Sequence, residues 1–202
     1  MARKTREEAL KTRAMLLDAA LAVFLRKGYF RTSLTDIAEE VGMTRGAVYG
    51  HFRNKVDLYT SLLDDVFQPI EDFFNALMRE ESSGNGLRAV MENWFENLAE
   101  NERLLQALEL DLHRTERCEE LQPRDEEIKE RFKGYMASVE NHFRKGQELG
   151  WVKPELDPGA AATYFMAVLI GMGHYRLDQP DRHDWRASVP LFVDMFFHGV
   201  AR

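Results

Sequence analysis

A short run of hydrogen-bonding side chains carries the most specific chemistry in this sequence. They belong to one short predicted helix, whose inner face contains Val48. Its outer face carries Arg45, Gly46, Tyr49 and His51. An arginine can pair with guanine through two hydrogen bonds in the major groove of DNA, and a glycine lets the backbone come close. The pattern predicts a helix that reads DNA bases. If this stretch is considered alone, an ordinary hairpin of two surface helices is an alternative.

Cap residues place this helix directly after another short one. Ser33 followed by Asp36 is a capping-box pattern that starts the first helix, and Gly42 supplies the positive φ that often follows a helix end. Thr44 then caps the second helix, which is predicted to run from Arg45 to about His51. The two helices and their turn therefore form a predicted helix-turn-helix.

Composition and charge fit a protein that meets a polyanion with one end. The chain has 202 residues, is 45% apolar and has a net charge of −7. Residues 1–60 hold 11 Lys/Arg and 7 Asp/Glu, so this part is basic while the remainder is acidic. The single cysteine, Cys118, excludes an intrachain disulfide, and no stretch resembles a signal peptide or a membrane span. We expect a cytoplasmic protein.

Hydrophobic periodicity predicts an all-α fold of about nine helices. A helix-turn-helix head over residues 1–54 is expected to join a helical body over residues 55–202, with Pro69 kinking the long helix between them. Besides the two short helices, the predicted helices are Glu7–Lys27, Lys55–Glu80, Leu87–Glu100, Asn101–His113, Asp125–Leu149, one from Pro158 to about Tyr175, and a last one from between Trp185 and Pro190 to near Gly199.

No residue pattern indicates catalysis or metal binding. The six histidines lack metal-ligand spacing with carboxylates, and the chain has no nucleotide-binding loop or hydrolase elbow. We therefore expect no cofactor and no enzymatic activity.

The segment Ile37–Leu58, which reads IAEEVGMTRGAVYGHFRNKVDL, resembles the signature of the TetR/AcrR family of transcriptional repressors. The start, Met1–Arg13, resembles the branch that represses multidrug efflux pumps. The resemblance implies a dimer that binds a pseudo-palindromic operator and is released by a small molecule. Gly50 is a departure, because many members carry a large side chain there. Alternatives are a TetR-type regulator of a metabolic or lipid pathway and, remotely, a small-molecule carrier or enzyme with a helix-turn-helix anchor.

Chemistry and resemblance together assign roles at the head. Arg45 is expected to read bases, while a basic arm over residues 1–6 could reach phosphates or a minor groove. Phosphate contacts are expected from Thr44, Tyr49 and His51, from Ser33 and Thr35 at a helix N-terminus, and from Lys55. Tyr49 could instead be a packing aromatic and His51 a capping or core histidine. The predicted DNA-binding set is Ser33, Thr35, Thr44, Arg45, Gly46, Tyr49, His51 and Lys55.

In the body, methionine, aromatic and a few polar side chains suit a pocket for a hydrophobic or aromatic inducer. Ordinary core packing is the alternative for most of them, and a surface ion pair is the alternative for Glu109 and His113. The predicted ligand-binding set is Phe67, Trp94, Phe95, Leu105, Leu108, Glu109, His113, Phe132, Met136 and Phe165.

The last two predicted helices are too apolar to face water on all sides. Two of them from each chain could form a four-helix interface in a homodimer. The predicted interface residues are Phe165, Gly171, Phe192, Met195 and Phe196.

Overall fold

The computed structural model describes residues 6–79 and 85–200, and these residues confirm the all-α prediction. Over these two ranges, no helix combines the length and apolar character needed to cross a bilayer. The predicted basic arm falls mostly on residues 1–5, outside the described residues. The helices are α1 Arg6–Lys27, α2 Leu34–Glu40, α3 Arg45–Tyr49, α4 Lys55–Arg79, α5 Gly86–Glu100, α6 Glu102–His113, α7 Gln122–Glu148, α8 Pro158–Asp178 and α9 Trp185–Val200, with a 3-10 turn at Glu119–Leu121.

The chain forms two compact units. The first, which we call the head unit, contains residues up to Phe67 together with Gln106–Arg124, and the second, the body unit, contains Gln68–Leu105 and the residues from Asp125 onward. The head unit is thus larger than the predicted DNA-binding segment 1–54, since it also includes the start of α4 and the second half of α6. The functional boundary at residue 54 stays a prediction.

Three aromatic rings form the centre of the head unit. Phe24, Tyr29 and Tyr59 are fully buried, and the Tyr59 ring centroid lies 4.9 Å from that of Tyr29 and 5.7 Å from that of Phe24. These contacts join the end of α1, the turn that follows it and the first half of α4. Helix α2 packs on α1, whose end carries Phe24, and α3 packs on α2.

A buried polar group extends this core to the end of α6. The Tyr59 hydroxyl lies 2.9 Å from the Asp111 carboxylate, and Arg124 donates to the same carboxylate oxygen at 3.1 Å. The Arg124 guanidinium also lies 5.4 Å from the centroid of the Tyr59 ring. Burial, reinforced by the Asp111 charge, raises the pKa of Tyr59, so its hydroxyl stays protonated and can donate. Asp111 is therefore held by two partners in the head unit.

Capping and ion pairs fasten α2 to the end of α1. The Ser33 hydroxyl accepts a hydrogen bond from the Asp36 amide, and the Asp36 carboxylate accepts one from the Ser33 amide at 2.8 Å, which confirms the predicted capping box. Lys27 donates to Asp36 at 2.5 Å, and Arg26 donates to Glu40 at 2.6 Å. The bonds from Lys27 and Ser33 lower the pKa of Asp36, so it is charged at neutral pH.

The body unit is built around α5, α8 and α9, which pack on the second half of α7. Phe143, Phe165 and Phe196 are buried together, with ring centroids 5.4–6.5 Å apart. Close packing also sets the turn after α7: a Cβ atom on Gly146 would lie 2.5 Å from Val152 and 2.6 Å from the Trp151 ring. Only glycine fits at this position.

One predicted helix start is wrong. Helix α7 begins at Gln122 instead of Asp125, because Pro123 lies in the first turn, where its missing N–H is not needed. Helix α9 begins at Trp185, inside the predicted range from Trp185 to Pro190. The Asp184 carboxylate accepts from the Ala187 amide at 3.0 Å, and the Ser188 hydroxyl donates to the Asp184 carbonyl at 2.7 Å.

The bond between Tyr59 and Asp111 can be tested by Tyr59→Phe. The ring packing stays, but the half-buried Asp111 carboxylate loses a donor, so we expect the free energy of unfolding to fall by about 1–2 kcal/mol. Urea denaturation followed by circular dichroism measures this. Tyr175→Phe is the control, since the Tyr175 side chain is 42% exposed. Equal stability of the two variants would show that the bond contributes nothing.

Candidate nucleic-acid interface and helical body

Helix α3 is held in place from behind and at both ends. Val48 on its inner face is fully buried, and the Thr44 hydroxyl accepts from the Ala47 amide at 3.2 Å, as the cap prediction requires. Immediately after the helix, Phe52 is 2% exposed, and the Arg13 guanidinium lies 5.1 Å from its ring centroid. The opposite face of this five-residue helix is presented to solvent.

The helix is shorter than predicted. It ends at Tyr49, and Gly50 is its C-cap, with a helical φ of −68° that any residue can adopt. The prediction that α3 runs to about His51 is therefore wrong, and Gly50 does not carry the cost of a glycine inside a helix. A Cβ atom at Gly50 would lie 3.2 Å from the Ala47 carbonyl oxygen, so a side chain here would be tightly placed.

Arg45 and Tyr49 meet on the solvent face of α3. The Arg45 Nη2 donates to the Tyr49 hydroxyl at 2.9 Å, and the guanidinium lies 5.2 Å from the centroid of the Tyr49 ring. Tyr49 is 46% exposed, which excludes the alternative that it is a buried packing aromatic. The sequence analysis did not predict this pairing, although a four-residue spacing on a helix is a signal for it.

Arg45 also keeps its charge available. Three other cations of the head are paired with carboxylates, namely Arg26 with Glu40, Lys27 with Asp36 and Arg53 with Asp57. In the part of the chain that the structure describes, Arg45 has no such ion pair, and its neighbour Gly46 is exposed. An uncompensated guanidinium beside an open stretch of backbone suits contact with a polyanion.

The other predicted DNA-binding residues differ in their surroundings. Ser33 and Thr44 are helix caps, and Thr35 lies half-buried in the first turn of α2. His51 is half-buried beyond the end of α3, with its ring centroid 6.4 Å from that of Phe52. Their contacts with phosphate stay predictions.

Lys55 is engaged inside the head unit. Its ammonium donates to the Tyr29 carbonyl at 3.1 Å and to the Phe30 carbonyl at 3.5 Å, and it lies 4.3 Å from the centroid of the Tyr29 ring. These contacts connect the start of α4 with the turn after α1. Lys55 thus has a structural role that the sequence did not indicate, and its predicted phosphate contact stays a prediction.

Several predicted ligand-binding residues form the core of the body unit. Phe95 and Phe165 are buried, and Trp94 donates its indole N–H to the Leu169 carbonyl at 2.9 Å. Met136 is half-buried, while Phe132 is 36% exposed and, with Ile128, lines an open groove along α7. Leu105, at the end of this unit's part of α6, is half-buried as well.

The remaining predicted ligand-binding residues belong to the head unit. Glu109 bonds to His113 at 2.8 Å and accepts from Arg114 at 3.0 Å. Burial opposes ionisation of Glu109, but these two partners outweigh it and lower the pKa of Glu109. Both side chains are about one-third exposed, and their contact supports the alternative interpretation of a surface pair. A role of Glu109 and His113 in ligand binding stays a prediction. Leu108 is 9% exposed, and Phe67 is half-buried.

The body unit contains a polar group that the sequence analysis missed. Arg131 of α7 donates to both carboxylate oxygens of Glu71 at 3.1 Å, and burial together with the Glu71 charge raises the pKa of Tyr135 to about 12. The Tyr135 ring packs edge-on against Phe74, with centroids 4.9 Å apart. Residues on α4 and α7 thus combine aromatic and charged groups in one place.

Two predicted interface residues are wrongly placed. Phe165 and Phe196 are 0% and 4% exposed, because they pack inside the protomer's own core and cannot contact a second chain. Gly171 and Met195 do face solvent, and Phe192 is half-buried against Phe95 and Trp185. The solvent face of α8 and α9 also exposes other large apolar residues, namely Tyr164, Ile170 and Leu191.

Comparison with known families and proteins covers nearly the whole chain. Residues 16–62 match the family model described as bacterial regulatory proteins, tetR family, and residues 63–169 match the model described as YsiA-like protein, C-terminal region. The HTH-type transcriptional regulator TtgR of Pseudomonas putida is 34% identical over 96% of this chain and 93% of its own length.

Solved structures agree with these matches. NalD, the secondary repressor of the MexAB-OprM multidrug efflux pump in Pseudomonas aeruginosa, superposes with a TM-score of 0.84 at 28% identity over 98% of this chain and 99% of its own. A complex of SmeT with triclosan superposes with a TM-score of 0.80 at 30% identity, covering 95% of this chain and 92% of its own. SmeT is the repressor of the Stenotrophomonas maltophilia multidrug efflux pump SmeDEF.

The structural role of Lys55 can be tested by Lys55→Met. The variant keeps the aliphatic stem but removes the ammonium that donates to the Tyr29 and Phe30 carbonyls and lies near the Tyr29 ring. We expect a loss of about 1 kcal/mol in the free energy of unfolding. Thermal and urea unfolding of the protein alone measure this loss. Lys11→Met is the control, because the Lys11 side chain is 74% exposed. A fully stable Lys55→Met protein would leave phosphate binding as the only role for this lysine.

Proposed function

The chain belongs to the TetR family of bacterial regulatory proteins, and from this premise we propose that it is a ligand-responsive repressor of a multidrug efflux pump operon. In this proposal the protein binds a pseudo-palindromic operator as a homodimer in the cytoplasm, and a hydrophobic or aromatic small molecule releases it. The observation that carries the proposal is helix α3, whose buried back and caps hold an outer face with an unneutralised Arg45.

Arg45 is the proposed base-reading residue. A guanidinium can give two parallel hydrogen bonds to the O6 and N7 atoms of guanine, which no other base pair accepts in the same geometry. Gly46, in the next position, has no side chain that would keep the backbone away from DNA. Ser33, Thr35, Thr44, His51 and Lys55 are proposed to contact phosphates around this base contact.

The exposed apolar face of α8 and α9 supports a homodimer. Large apolar side chains on a solvent face carry a free-energy cost in water, and burial between two copies of the same helices would remove it. We propose that Gly171, Met195, Ile170, Leu191 and Tyr164 form this interface. A two-fold dimer places two α3 helices in successive major grooves, which is why a pseudo-palindromic operator is expected.

The proposed inducer is apolar because the body unit offers mainly apolar and aromatic side chains. Phe95, Trp94 and Met136 fit such a ligand, and Glu71, Arg131 and Tyr135 could orient a polar group on it. The related SmeT was solved with triclosan, a compound of this chemical class. Control of a metabolic or lipid pathway would use the same head and a different body ligand, so the genes beside the operator distinguish the two.

Operator binding is tested on the DNA upstream of the protein's own gene and its neighbours. We expect DNase footprinting to show a protected pseudo-palindrome. Arg45→Ala should weaken binding at least about 5-fold, because one bidentate base contact is worth about 1–3 kcal/mol. Arg144→Ala, which removes an exposed cation of α7, should bind normally.

Triclosan added to the complex should lower the fraction of DNA bound. The absence of protection at any palindrome in these regions would contradict the proposal. If the operator stays protected in the presence of triclosan and other lipophilic compounds, the protein is a repressor, but the proposed class of inducer is wrong.

The proposed dimer is tested by Met195→Glu. Met195 is 67% exposed, so the substitution should not disturb the protomer, but it would place two buried carboxylates near the two-fold axis. We expect sedimentation velocity to show a shift from dimer to monomer. Leu149→Glu, at a 61% exposed position after α7, is the matched control and should remain dimeric. A dimeric Met195→Glu protein would place the interface elsewhere.

A further inference from the structure

We propose that Tyr49 is a positioning residue for Arg45: its hydroxyl holds the guanidinium ready for base reading and thereby sets how strongly one base pair of the operator is discriminated. This inference rests on the proposed DNA-binding function. It assigns Tyr49 a task beyond a phosphate contact, because it predicts an effect on sequence preference at one position and not on affinity in general.

The geometry that supports it is a double contact between two exposed side chains. The Arg45 Nη2 donates to the Tyr49 hydroxyl at 2.9 Å, and the same guanidinium lies 5.2 Å from the ring centroid. One contact fixes where the end of the side chain lies, and the other fixes the face on which it rests. Together they restrict a side chain that otherwise has several freely rotating bonds.

Tyr49 is itself well fixed. It is the last residue of α3, directly after the fully buried Val48, and Phe52 three residues later is also buried. The backbone that carries the tyrosine is thereby held on both sides, while the ring stays 46% exposed. An exposed ring on a fixed backbone can orient a neighbouring side chain without being part of the core.

A tyrosine positions Arg45 without neutralising it. The carboxylates that hold Arg26 and Arg53 compensate their charge, whereas the phenol that holds Arg45 is neutral. The guanidinium has five N–H donors, and the bond to Tyr49 uses one, which leaves enough donors for a bidentate contact with guanine. The Tyr49 oxygen accepts in this bond, so its own O–H is still free to donate to DNA.

The expected effect follows from side-chain ordering. Immobilising a flexible side chain on binding costs free energy, and an arginine that is ordered beforehand loses less when it meets its base. Without the hydroxyl, we expect discrimination at the base pair read by Arg45 to fall by about 3- to 10-fold, which is the range that this ordering cost implies. Base pairs that Arg45 does not read should be unaffected.

The experiment compares wild type, Tyr49→Phe, Arg45→Ala and the double variant. A duplex is first selected by the wild-type protein from double-stranded DNA with a random central segment. Affinities of all four proteins are then measured for that duplex and for its single-base-pair variants. The base pair at which Arg45→Ala has lost its preference identifies the position that Arg45 reads.

Tyr49→Phe should reduce the preference at that position alone, and it should have no further effect on preference in the Arg45→Ala background. A uniform loss of affinity for every duplex, equally large in both backgrounds, would show that Tyr49 only binds phosphate and would overturn the proposal. Unchanged preference in Tyr49→Phe would overturn it as well. If the wild type selects no common sequence, the proposed function itself fails, which is a separate result.

Discussion

The proposed DNA-binding surface depends on holding a helix of only five residues in place. An isolated helix in water needs about 12–15 residues to be even marginally stable, so neither α3 nor the seven-residue α2 can persist on backbone hydrogen bonds alone. Caps at Ser33 and Thr44 and complete burial of Ile37 and Val48 supply what the backbone cannot. Because all of these contacts lie at the ends or on the inner face, the outer face of α3 is left free for recognition.

The same constraint explains why the head unit extends beyond the helix-turn-helix. The inner faces of α2 and α3 need a support: α3 packs on α2, and α2 packs on α1. The end of α1 is joined to Tyr29 and Tyr59 through Phe24, and Asp111 extends this cluster to the end of α6. Helices α4 and α6 each contribute residues to both compact units. A ligand of the body unit can change DNA binding only if it has different affinities for two arrangements of such shared elements.

The parts of the fold that could be predicted from sequence are those set by local chemistry. The cap residues Ser33 and Thr44 mark helix starts that the structure confirms, because a short polar side chain beside an amide acts within three residues. The start of α9 was predicted only as a range from Trp185 to Pro190. The structure places it at Trp185, which is buried, with Asp184 accepting from the Ala187 amide.

Predictions of which apolar side chains lie in a dimer interface were less successful. The sequence shows that a helix is apolar on all sides, but it does not show which of these sides packs against the same protomer. Phe196 and Met195 are neighbours in the last helix, and both were predicted to contact a second chain. Phe196 is buried among Tyr164, Phe165 and Phe197, whereas Met195 points away from that cluster and is exposed. The candidate DNA-binding residues were easier to place, because α3 is short and only one side of it can be buried.

The basic residues of the head indicate DNA binding only once their ion-pair partners within the protein are known. The excess of basic residues over residues 1–60 counts Arg26, Lys27 and Arg53, yet each of these is compensated by a carboxylate and stabilises α2 or the start of α4. Arg45 adds one positive charge, as each of those three residues does. Its partner, however, is the phenol of Tyr49, so its charge remains available to a polyanion. A neutral acceptor that orients a cation without compensating it meets both demands on a base-reading residue, namely a fixed direction and an uncompensated charge. The proposed DNA specificity of the head therefore rests on the pairing of Arg45 with Tyr49 more than on the number of basic residues around them.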